Sequence, residues 1–348
     1  MTSNATVVNP YCEAGGFYGV ERACGLTGSD DWMVWVAQDF VSISHDGLRP
    51  LSAKDWEARL VRYIDLRPCY NAFIDCRSPG SEAKENFTII GPGVSENPDQ
   101  YVHIAEPHGF NIGGARQPPA CVNSQHSHDT AEVFLVHTGH WRFDLGETGQ
   151  DAQVEMGPGD VISIPTGMFR GFTNIGSDIG FLWAVLGEDD PGRVLWAPDV
   201  FKLARKHGLI LLETGQLIDT VAGQTVPAGA AIMPETTAKQ VASLHVATQA
   251  EAESFVAKAR PGTFPIIDRN GVLRGEHGFS LSQVSLNEGQ RLEEVAGTVI
   301  FVHKGALTLT CENGPVLLQI GDTLSVPHQH DPMIIANQDS VIHVVKKV

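Results

Sequence analysis

Two histidines and a glutamate stand close together in the segment QHSHDTAEVFLVHTG. His126 and His128 are two residues apart, so their side chains share one face of a β-strand. Glu132 has the same parity along the chain, and Phe134 and Val136 continue that face inward. Two imidazoles and one carboxylate that converge inside a β-barrel can hold Fe(II), Mn(II), Ni(II) or Zn(II). The spacing therefore predicts a buried site for one divalent metal.

Short strands separated by turns must position these side chains. From residue 101 to residue 187, short apolar runs alternate with turns that contain Gly or Pro. The chain has 36 glycines and 20 prolines in 348 residues, above the background of ~12% for the two together. This pattern is typical of a β-barrel or a β-sandwich.

The strand pattern returns after residue 263 and repeats the first one. Three pairs of matching segments occur in the same order: HGF at 108–110 and 277–279, FLVHTG and IFVHKG at 134–139 and 300–305, and GDVISIP and GDTLSVP at 159–165 and 321–327. Three ordered matches indicate a duplicated β domain.

The first β unit resembles the cupin family. The residues that fit the family's first motif are His126, His128, Glu132 and Gly139. Those that fit the second motif in register are Gly159, Pro165, Gly167 and Asn174. The first motif's leading Gly is missing, and Val122 stands near its position. Together with the repeat, the resemblance implies an all-β (mainly β) bicupin: two jelly-roll barrels joined by a helical linker, after a partly helical N-terminal arm.

Arg170 occupies the position where the second motif has its metal-binding histidine. A guanidinium cannot ligate a metal, because it stays protonated and offers no lone pair. Two interpretations remain open. In one, His126, His128 and Glu132 hold the metal while Arg170 binds a substrate carboxylate. In the other, the metal is lost and Arg170 forms a buried ion pair with Glu132.

The resemblance extends to function. The chain is similar to bicupin dioxygenases of the gentisate type, which implies one divalent metal per chain, with Fe(II) expected and Mn, Ni or Zn as alternatives. Arg170 would then anchor a small anionic substrate, with Phe134, Trp141 and Phe172 lining the pocket. Those enzymes use three histidines, whereas Glu132 would be the third ligand here. The alternatives are a non-oxidative isomerase, lyase or decarboxylase, and a non-catalytic bicupin that binds a small molecule.

The second β unit is expected to hold no metal. Leu292, Glu294 and Thr298 take the positions of the three candidate ligands. His328 and His330 lie nearby but lack partners from the first motif.

His137 and His303 occupy equivalent positions in the two repeats. Their parity is opposite to that of the candidate ligands, so both are predicted to face out of the barrels and to be structural.

The remaining segments show helical patterns. Ser52 and Asp55 are typical of a capped start, which predicts a helix near 52–64. Pro198 and a capping box at Thr248 predict two or three helices between the β units. The expected division is an N-terminal arm (1–100), the metal-binding barrel (101–188), a helical linker (189–262) and the degenerate barrel (263–348).

Composition excludes several classes of partner. There are 24 Lys and Arg against 41 Asp and Glu, a net charge of −17, which argues against binding to nucleic acid or to anionic membranes. The N-terminus lacks the pattern of a signal peptide, and the six cysteines include no CxxC. We therefore expect reduced thiols in a cytoplasmic protein, although a disulfide between Cys69 and Cys76 is left open. The cupin resemblance implies a homodimer or homotetramer.

Overall fold

Alternating apolar and polar residues, interrupted by turn glycines, produce a mainly β structure. The computed structural model describes residues 49–348. Its strands are β1 (Leu60–Val61), β2 (Glu85–Ile90), β3 (Val102–Ile104), β4 (Phe110–Gln117), β5 (Val122–His128), β6 (Glu132–Thr138), β7 (Trp141–Leu145), β8 (Ala152–Met156), β9 (Val161–Ile164), β10 (Arg170–Asn174), β11 (Gly180–Gly187), β12 (Val194–Trp196), β13 (Leu209–Leu211), β14 (Leu217–Asp219), β15 (Val256–Ala257), β16 (Phe264–Ile267), β17 (Phe279–Leu286), β18 (Arg291–Leu292), β19 (Thr298–Lys304), β20 (Leu307–Thr310), β21 (Val316–Leu318), β22 (Thr323–Ser325), β23 (Met333–Ala336) and β24 (Ser340–Lys347).

These strands form two jelly-roll barrels, which confirms the predicted fold class. The first barrel pairs a seven-stranded sheet, β15-β9-β6-β11-β4-β2-β3, with a five-stranded sheet, β12-β5-β10-β7-β8. The second pairs a six-stranded sheet, β1-β22-β19-β24-β17-β16, with a four-stranded sheet, β18-β23-β20-β21. Strands β13 and β14 form a small separate hairpin. The first barrel's sheet takes in β2, which precedes residue 101, where the barrel was expected to begin.

The helix predicted near 52–64 is much shorter in the structure. Helix α1 (Ala53–Glu57) begins at the capping box of Ser52 and Asp55, as predicted, but it ends at Ala58. Leu60 and Val61 form β1 instead, which pairs with β22 of the second barrel. The capped start thus predicted where the helix begins but not its length, because pairing with β22 buries Leu60 and Val61 as an extended strand. Residues 1–48 of the predicted arm lie outside the described residues.

Three helices lie between the two barrels, in agreement with the prediction. They are α2 (Pro198–Lys206), α3 (Ala238–Ser243) and α4 (Gln249–Ser254). Pro198 begins α2, and the predicted capping box at Thr248 begins α4. None of the helices within residues 49–348 has the length and apolar character needed to cross a bilayer. Cys69 and Cys76 are buried free thiols, so the disulfide considered from the sequence is not formed.

The two barrels pack together through a shared apolar layer. Leu135 and Trp183 of the seven-stranded sheet belong to the same buried cluster as Phe301 and Val345 of the six-stranded sheet. The rings of Trp183 and Phe301 stack with centroids 4.8 Å apart. Each of these sheets is therefore buried on both faces, one toward its own barrel and one toward the neighbouring barrel.

The repeated sequence motifs meet at this contact. His108 of the first HGF segment bonds through Nε2 to Ser325 Oγ of the second barrel at 2.7 Å. His277 of the second HGF segment bonds through Nε2 to Ser163 Oγ of the first barrel at 2.6 Å. Each serine belongs to one copy of the repeated segment GDxxSxP. We call these two bonds the reciprocal His–Ser contacts.

His137 and His303 face out of their own barrels, as their parity predicts, and meet between the barrels. Their Nδ1 atoms are 3.3 Å apart, so one ring donates to the other. The ring of His303 also lies edge-on to that of His343, at 5.5 Å between centroids. His137 is 5% exposed and His343 is completely buried. His137 and His343 are buried and His303 is partly buried, because each barrel covers the outward face of the other.

Mild acid should destabilise this contact. Burial lowers the pKa of His137 to about 3 and that of His303 to about 4. Below pH ~6.5 the unfolded chain therefore binds more protons than the folded one. The neutral histidines make their full contribution to the free energy of unfolding above that pH, and this contribution falls as the pH is lowered. At pH 5.5 each histidine should contribute a loss of about 1.4 kcal/mol. Urea unfolding of the His137→Leu/His303→Leu variant should show a loss between pH 7.5 and 5.5 that is about 2–3 kcal/mol smaller than that of the parent.

The matched control is His140→Leu, because His140 is exposed and its ring contacts Glu155. This control should keep the parent's dependence on pH. An unchanged pH dependence in the double variant would show that the buried histidines do not govern the acid sensitivity of the contact.

Candidate functional site

Three predicted ligands converge inside the first barrel. His126 and His128 project from β5, and Glu132 begins β6. One ligand atom from each lies within 4.8 Å of the other two, and no other residues from 49 to 348 form such a group. His126 and His128 are each 3% exposed and Glu132 is 5% exposed. Period-two spacing thus brings the three side chains together as the sequence predicts.

Both imidazoles are neutral at physiological pH. Burial, with the nearby charge of Arg170 second, lowers the pKa of His126 to about 3. The same two causes hold the pKa of His128 well below its ordinary value. His126 Nδ1 donates to the carbonyl of Ser124 at 2.7 Å, which leaves its Nε2 with a free lone pair. A neutral imidazole with one nitrogen committed as a donor is the form that ligates metals.

Arg170 is bound to Glu132 and does not line the cavity. Its Nε donates to Glu132 Oε2 at 3.1 Å, its Nη2 lies 3.0 Å from the same oxygen, and its Nη1 donates to the carbonyl of Met168. Glu132 Oε1 instead lies 3.5 Å from His128 Nε2. Burial raises the pKa of Glu132, and the guanidinium opposes that rise. The ion pair therefore occupies one carboxylate oxygen and leaves the other directed toward the histidines.

A cavity of about 70 Å³ adjoins the three side chains. Phe134 and Phe172 line it, as predicted from the sequence, whereas Trp141 and Arg170 are not among its lining residues. Trp141 packs on Phe172 in the barrel core and donates its indole N–H to the carbonyl of Thr138. Among residues 49–348, no lysine or arginine lines the cavity. The predicted role of Arg170 as a direct anchor for substrate therefore finds no support in its position.

The strand that carries Arg170 also requires a glycine beside the site. A Cβ on Gly171 would lie 2.7 Å from the carbonyl oxygen of Asn123 and would clash with the amide oxygen of Gln125. Gln125 cannot move freely, since its amide nitrogen donates to the carbonyls of Asp144 and Gly146.

We therefore expect Gly171→Ala to lower the free energy of unfolding by about 1–3 kcal/mol, as overpacking does elsewhere. Urea unfolding measures the change. Gly157→Ala is the control, because a Cβ there meets nothing nearer than 3.9 Å. Equal stability of the two variants would contradict the expected crowding at Gly171.

Sequence reasoning missed Trp196 and Glu96. Trp196 lines the cavity, and its ring centroid lies 5.4 Å from that of His126. Its indole N–H donates to Glu96 Oε1 at 2.6 Å, and Glu96 Oε2 accepts from the backbone of Ile74. Burial raises the pKa of Glu96 to about 8. Neither residue belongs to a spaced motif, so only the folded arrangement reveals their association with the site.

The second barrel has an apolar interior. Leu292 is buried in an apolar cluster with Leu307, Leu309 and Ile334. Thr298, at the position equivalent to Glu132, donates its hydroxyl to the carbonyl of Val295. Leu292, at the position equivalent to His126, is therefore part of the apolar core of the second barrel.

Comparison with known proteins agrees with this architecture. Residues 115–185 match the family model described as Cupin domain, and no curated protein matches the chain. Oxalate decarboxylase from Lactobacillus farciminis, solved as a formate complex, has a similar fold: TM-score 0.50 and 11% identity over 86% of this chain and 87% of that one. At this identity the likeness shows the fold alone.

Two further structures are similar at lower scores. A nickel-bound bacterial pirin from Escherichia coli has a TM-score of 0.48 and 11% identity, covering 82% of this chain and 96% of its own. A variant salicylate 1,2-dioxygenase from Pseudoaminobacter salicylatoxidans has a TM-score of 0.41 and 14% identity, covering 69% and 72%.

Proposed function

We propose that the first barrel binds one divalent metal through His126, His128 and Glu132 and acts as a metal-dependent oxygenase on a small organic acid. The observation that carries the proposal is the convergence of these three buried donors beside a cavity. Fe(II) is the proposed metal, with Mn(II), Ni(II) or Zn(II) as alternatives, because two imidazoles and one carboxylate suit all four. When bound, the metal would supply a Lewis acid and, as Fe(II), the means to use O₂.

The donor set fits a metal without rearrangement of the Arg170–Glu132 pair. Arg170 binds Oε2, so Oε1 remains available. Carboxylates that ligate metals are commonly held by a further hydrogen bond in this way. The proposal therefore keeps the three ligands of the first interpretation and the Arg170–Glu132 ion pair of the second, and it gives up the role of Arg170 in binding substrate. Arg170 orients the ligand Glu132.

Charge favours an anionic substrate. Arg170 offsets the charge of Glu132, and the two imidazoles are neutral. The charge of a divalent cation at this site would therefore not be balanced by the protein. An anionic ligand would bind strongly to such a cation, because the buried surroundings are poorly polarisable. The attraction would come from the metal, because no lysine or arginine in the described part of the chain lines the cavity.

The size of the cavity favours an aliphatic substrate. A volume of about 70 Å³ holds roughly five waters at ~10–15 Å³ each, whereas a cavity known to bind benzene measures ~150 Å³. This volume favours a small aliphatic acid of about four to six non-hydrogen atoms over a hydroxyaromatic acid. Phe134 and Phe172 would contact its carbon chain.

Metal content tests the first part of the proposal. The purified protein is stripped of metal, supplied with Fe(II) or Mn(II) under anaerobic conditions, and analysed by mass spectrometry of the elements. One metal per chain is expected. Suppose that the protein holds far less than one metal per chain and that added metal does not raise this content. That result would overturn both enzymatic hypotheses and favour a non-catalytic binding protein.

Oxygen uptake tests the reaction type. The Fe(II)-loaded protein is offered glycolate, pyruvate and benzoate at equal concentrations in an oxygen electrode. Uptake is expected with a small aliphatic acid and not with benzoate. Conversion of a small acid without O₂ would replace the oxygenase proposal with the isomerase, lyase or decarboxylase alternative.

A further inference from the structure

Strand β5 is irregular immediately before His126. Arg170 of β10 lies opposite His126, and Phe172 lies opposite Asn123. Two residues of β5, Ser124 and Gln125, therefore lie opposite the single residue Gly171 of β10. This arrangement is a β-bulge. A bulge removes backbone groups from the ladder, so those groups need other partners.

The backbone of Ser124 finds both partners in side chains. Its N–H donates to Asp75 Oδ2 at 3.0 Å. Its carbonyl accepts from His126 Nδ1 at 2.7 Å. One peptide segment thus connects Asp75 to a candidate metal ligand.

Asp75 is held in turn by Lys84. Both side chains are completely buried and form an ion pair. Lys84 Nζ also donates to Asn123 Oδ1 at 3.0 Å. The pair therefore binds two consecutive residues of β5, one through each partner. Neither Asp75 nor Lys84 lines the cavity, so neither is placed to touch a substrate.

This network determines where the proton of His126 lies. A carbonyl oxygen only accepts hydrogen bonds, so the contact with Ser124 requires the proton on Nδ1 and the lone pair on Nε2. The amide nitrogen of Asn123 is also near Nδ1, but at 3.4 Å, and the shorter contact with Ser124 decides the tautomer. The N–H and the carbonyl of Ser124 lie in adjoining peptide units, so Asp75 restrains the carbonyl through the backbone torsions of Ser124. If that backbone were free to rotate, the imidazole would lose the acceptor that fixes its tautomer and its orientation.

We infer that Asp75 and Lys84 are positioning residues. They hold the backbone of β5 at Asn123 and Ser124 so that the carbonyl of Ser124 stays directed at His126 Nδ1 and His126 presents Nε2 as a metal ligand. The effect on metal affinity rests on the proposed function. The effect on the tautomer does not, because it is a property of the metal-free protein. Partners that fix a ligating histidine in this way typically change metal affinity by ~10–100-fold when they are removed.

The test replaces the ion pair by apolar residues of similar size, Asp75→Leu/Lys84→Met, so that no single charge is left buried. Nitrogen NMR of ¹⁵N-histidine-labelled, metal-free protein reports the tautomer, and titration with Mn(II) reports affinity. The parent should show His126 as the Nδ1–H form alone. The variant should show a mixture with the Nε2–H form and a Mn(II) affinity ~10–100-fold lower.

Two comparisons separate positioning from general destabilisation. Asp75→Asn/Lys84→Gln keeps an acceptor for Ser124 and a donor for Asn123, so it should retain the parent's tautomer. Leu309→Ala removes a buried side chain of the second barrel and should lower stability without changing the tautomer or the Mn(II) affinity.

A folded apolar variant with the parent's tautomer would overturn the inference. So would an amide variant that loses the tautomer as completely as the apolar one does. If the parent binds no Mn(II), the proposed metal function fails, and the NMR comparison still decides the role of Asp75 and Lys84.

Discussion

Replacing His128 with alanine is expected to lower the affinity for Mn(II) or Fe(II) by more than ~100-fold, because one of three donors is removed. The barrel should stay folded, since His128 Nδ1 has no hydrogen-bond partner to lose among residues 49–348. Its Nε2 lies 3.5 Å from Glu132 Oε1, too far for a strong bond. Isothermal titration with Mn(II) measures the affinity, and circular dichroism checks the fold.

His140→Ala is the matched control for this experiment. His140 belongs to the same barrel, but its side chain is exposed and contacts Glu155 instead of the three donors. The affinity of the His140→Ala variant for Mn(II) should equal that of the parent. If His128→Ala binds one metal per chain with the parent's affinity, His128 is not a ligand and the proposed metal site is wrong.

Arg170→Met is expected to lower the free energy of unfolding of the metal-free protein by about 3–5 kcal/mol. The change leaves the buried carboxylate of Glu132 without its only cationic partner within residues 49–348 and also removes a donor to Met168. Burial already raises the pKa of Glu132, and the loss of the guanidinium would raise it further. Urea unfolding at pH 7.5 measures the effect.

Two additions make the Arg170 experiment specific. Arg170→Met/Glu132→Gln removes both charges, so it should recover much of the lost stability. Saturating Mn(II) should recover part of it in the single variant, because a cation bound only by the folded state stabilises that state. The free energy of unfolding of Arg170→Met could instead lie within ~1 kcal/mol of the parent's and rise with neither Glu132→Gln nor Mn(II). That result would mean that Glu132 is not charged in the folded protein.

The candidate ligands could be predicted because strand periodicity is local. His126, His128 and Glu132 share a parity, and the fold brings them together. The position of a side chain along the barrel axis depends on how distant strands pair, so local periodicity does not predict it. Trp141 was for this reason predicted to line the cavity but does not. It points into the barrel, but it pairs with Asn174 at the opposite end of β10 from Arg170. Parity determines the face of a strand and not the distance of a side chain from the site.

The partners of the site residues could not be predicted in the same way. Asp75, Lys84, Glu96 and Trp196 come from four separate segments, and no spacing connects them to His126. For Arg170, the sequence allowed either a substrate or Glu132 as the partner, and the choice depended on the side chain's path in the folded barrel. Similarly, the parity of His303 indicated an outward face but not that another barrel would cover it.

The reciprocal His–Ser contacts have a consequence for how the barrels associate. Each barrel presents the same histidine and receives its neighbour's histidine with the same serine. This is an isologous interface, the arrangement of a twofold-symmetric homodimer, contained within one polypeptide. Covalent linkage makes the pairing independent of protein concentration. It also lets the two halves differ internally while their contact stays self-complementary, so a barrel that carries the candidate metal ligands is always paired with a barrel that has an apolar core.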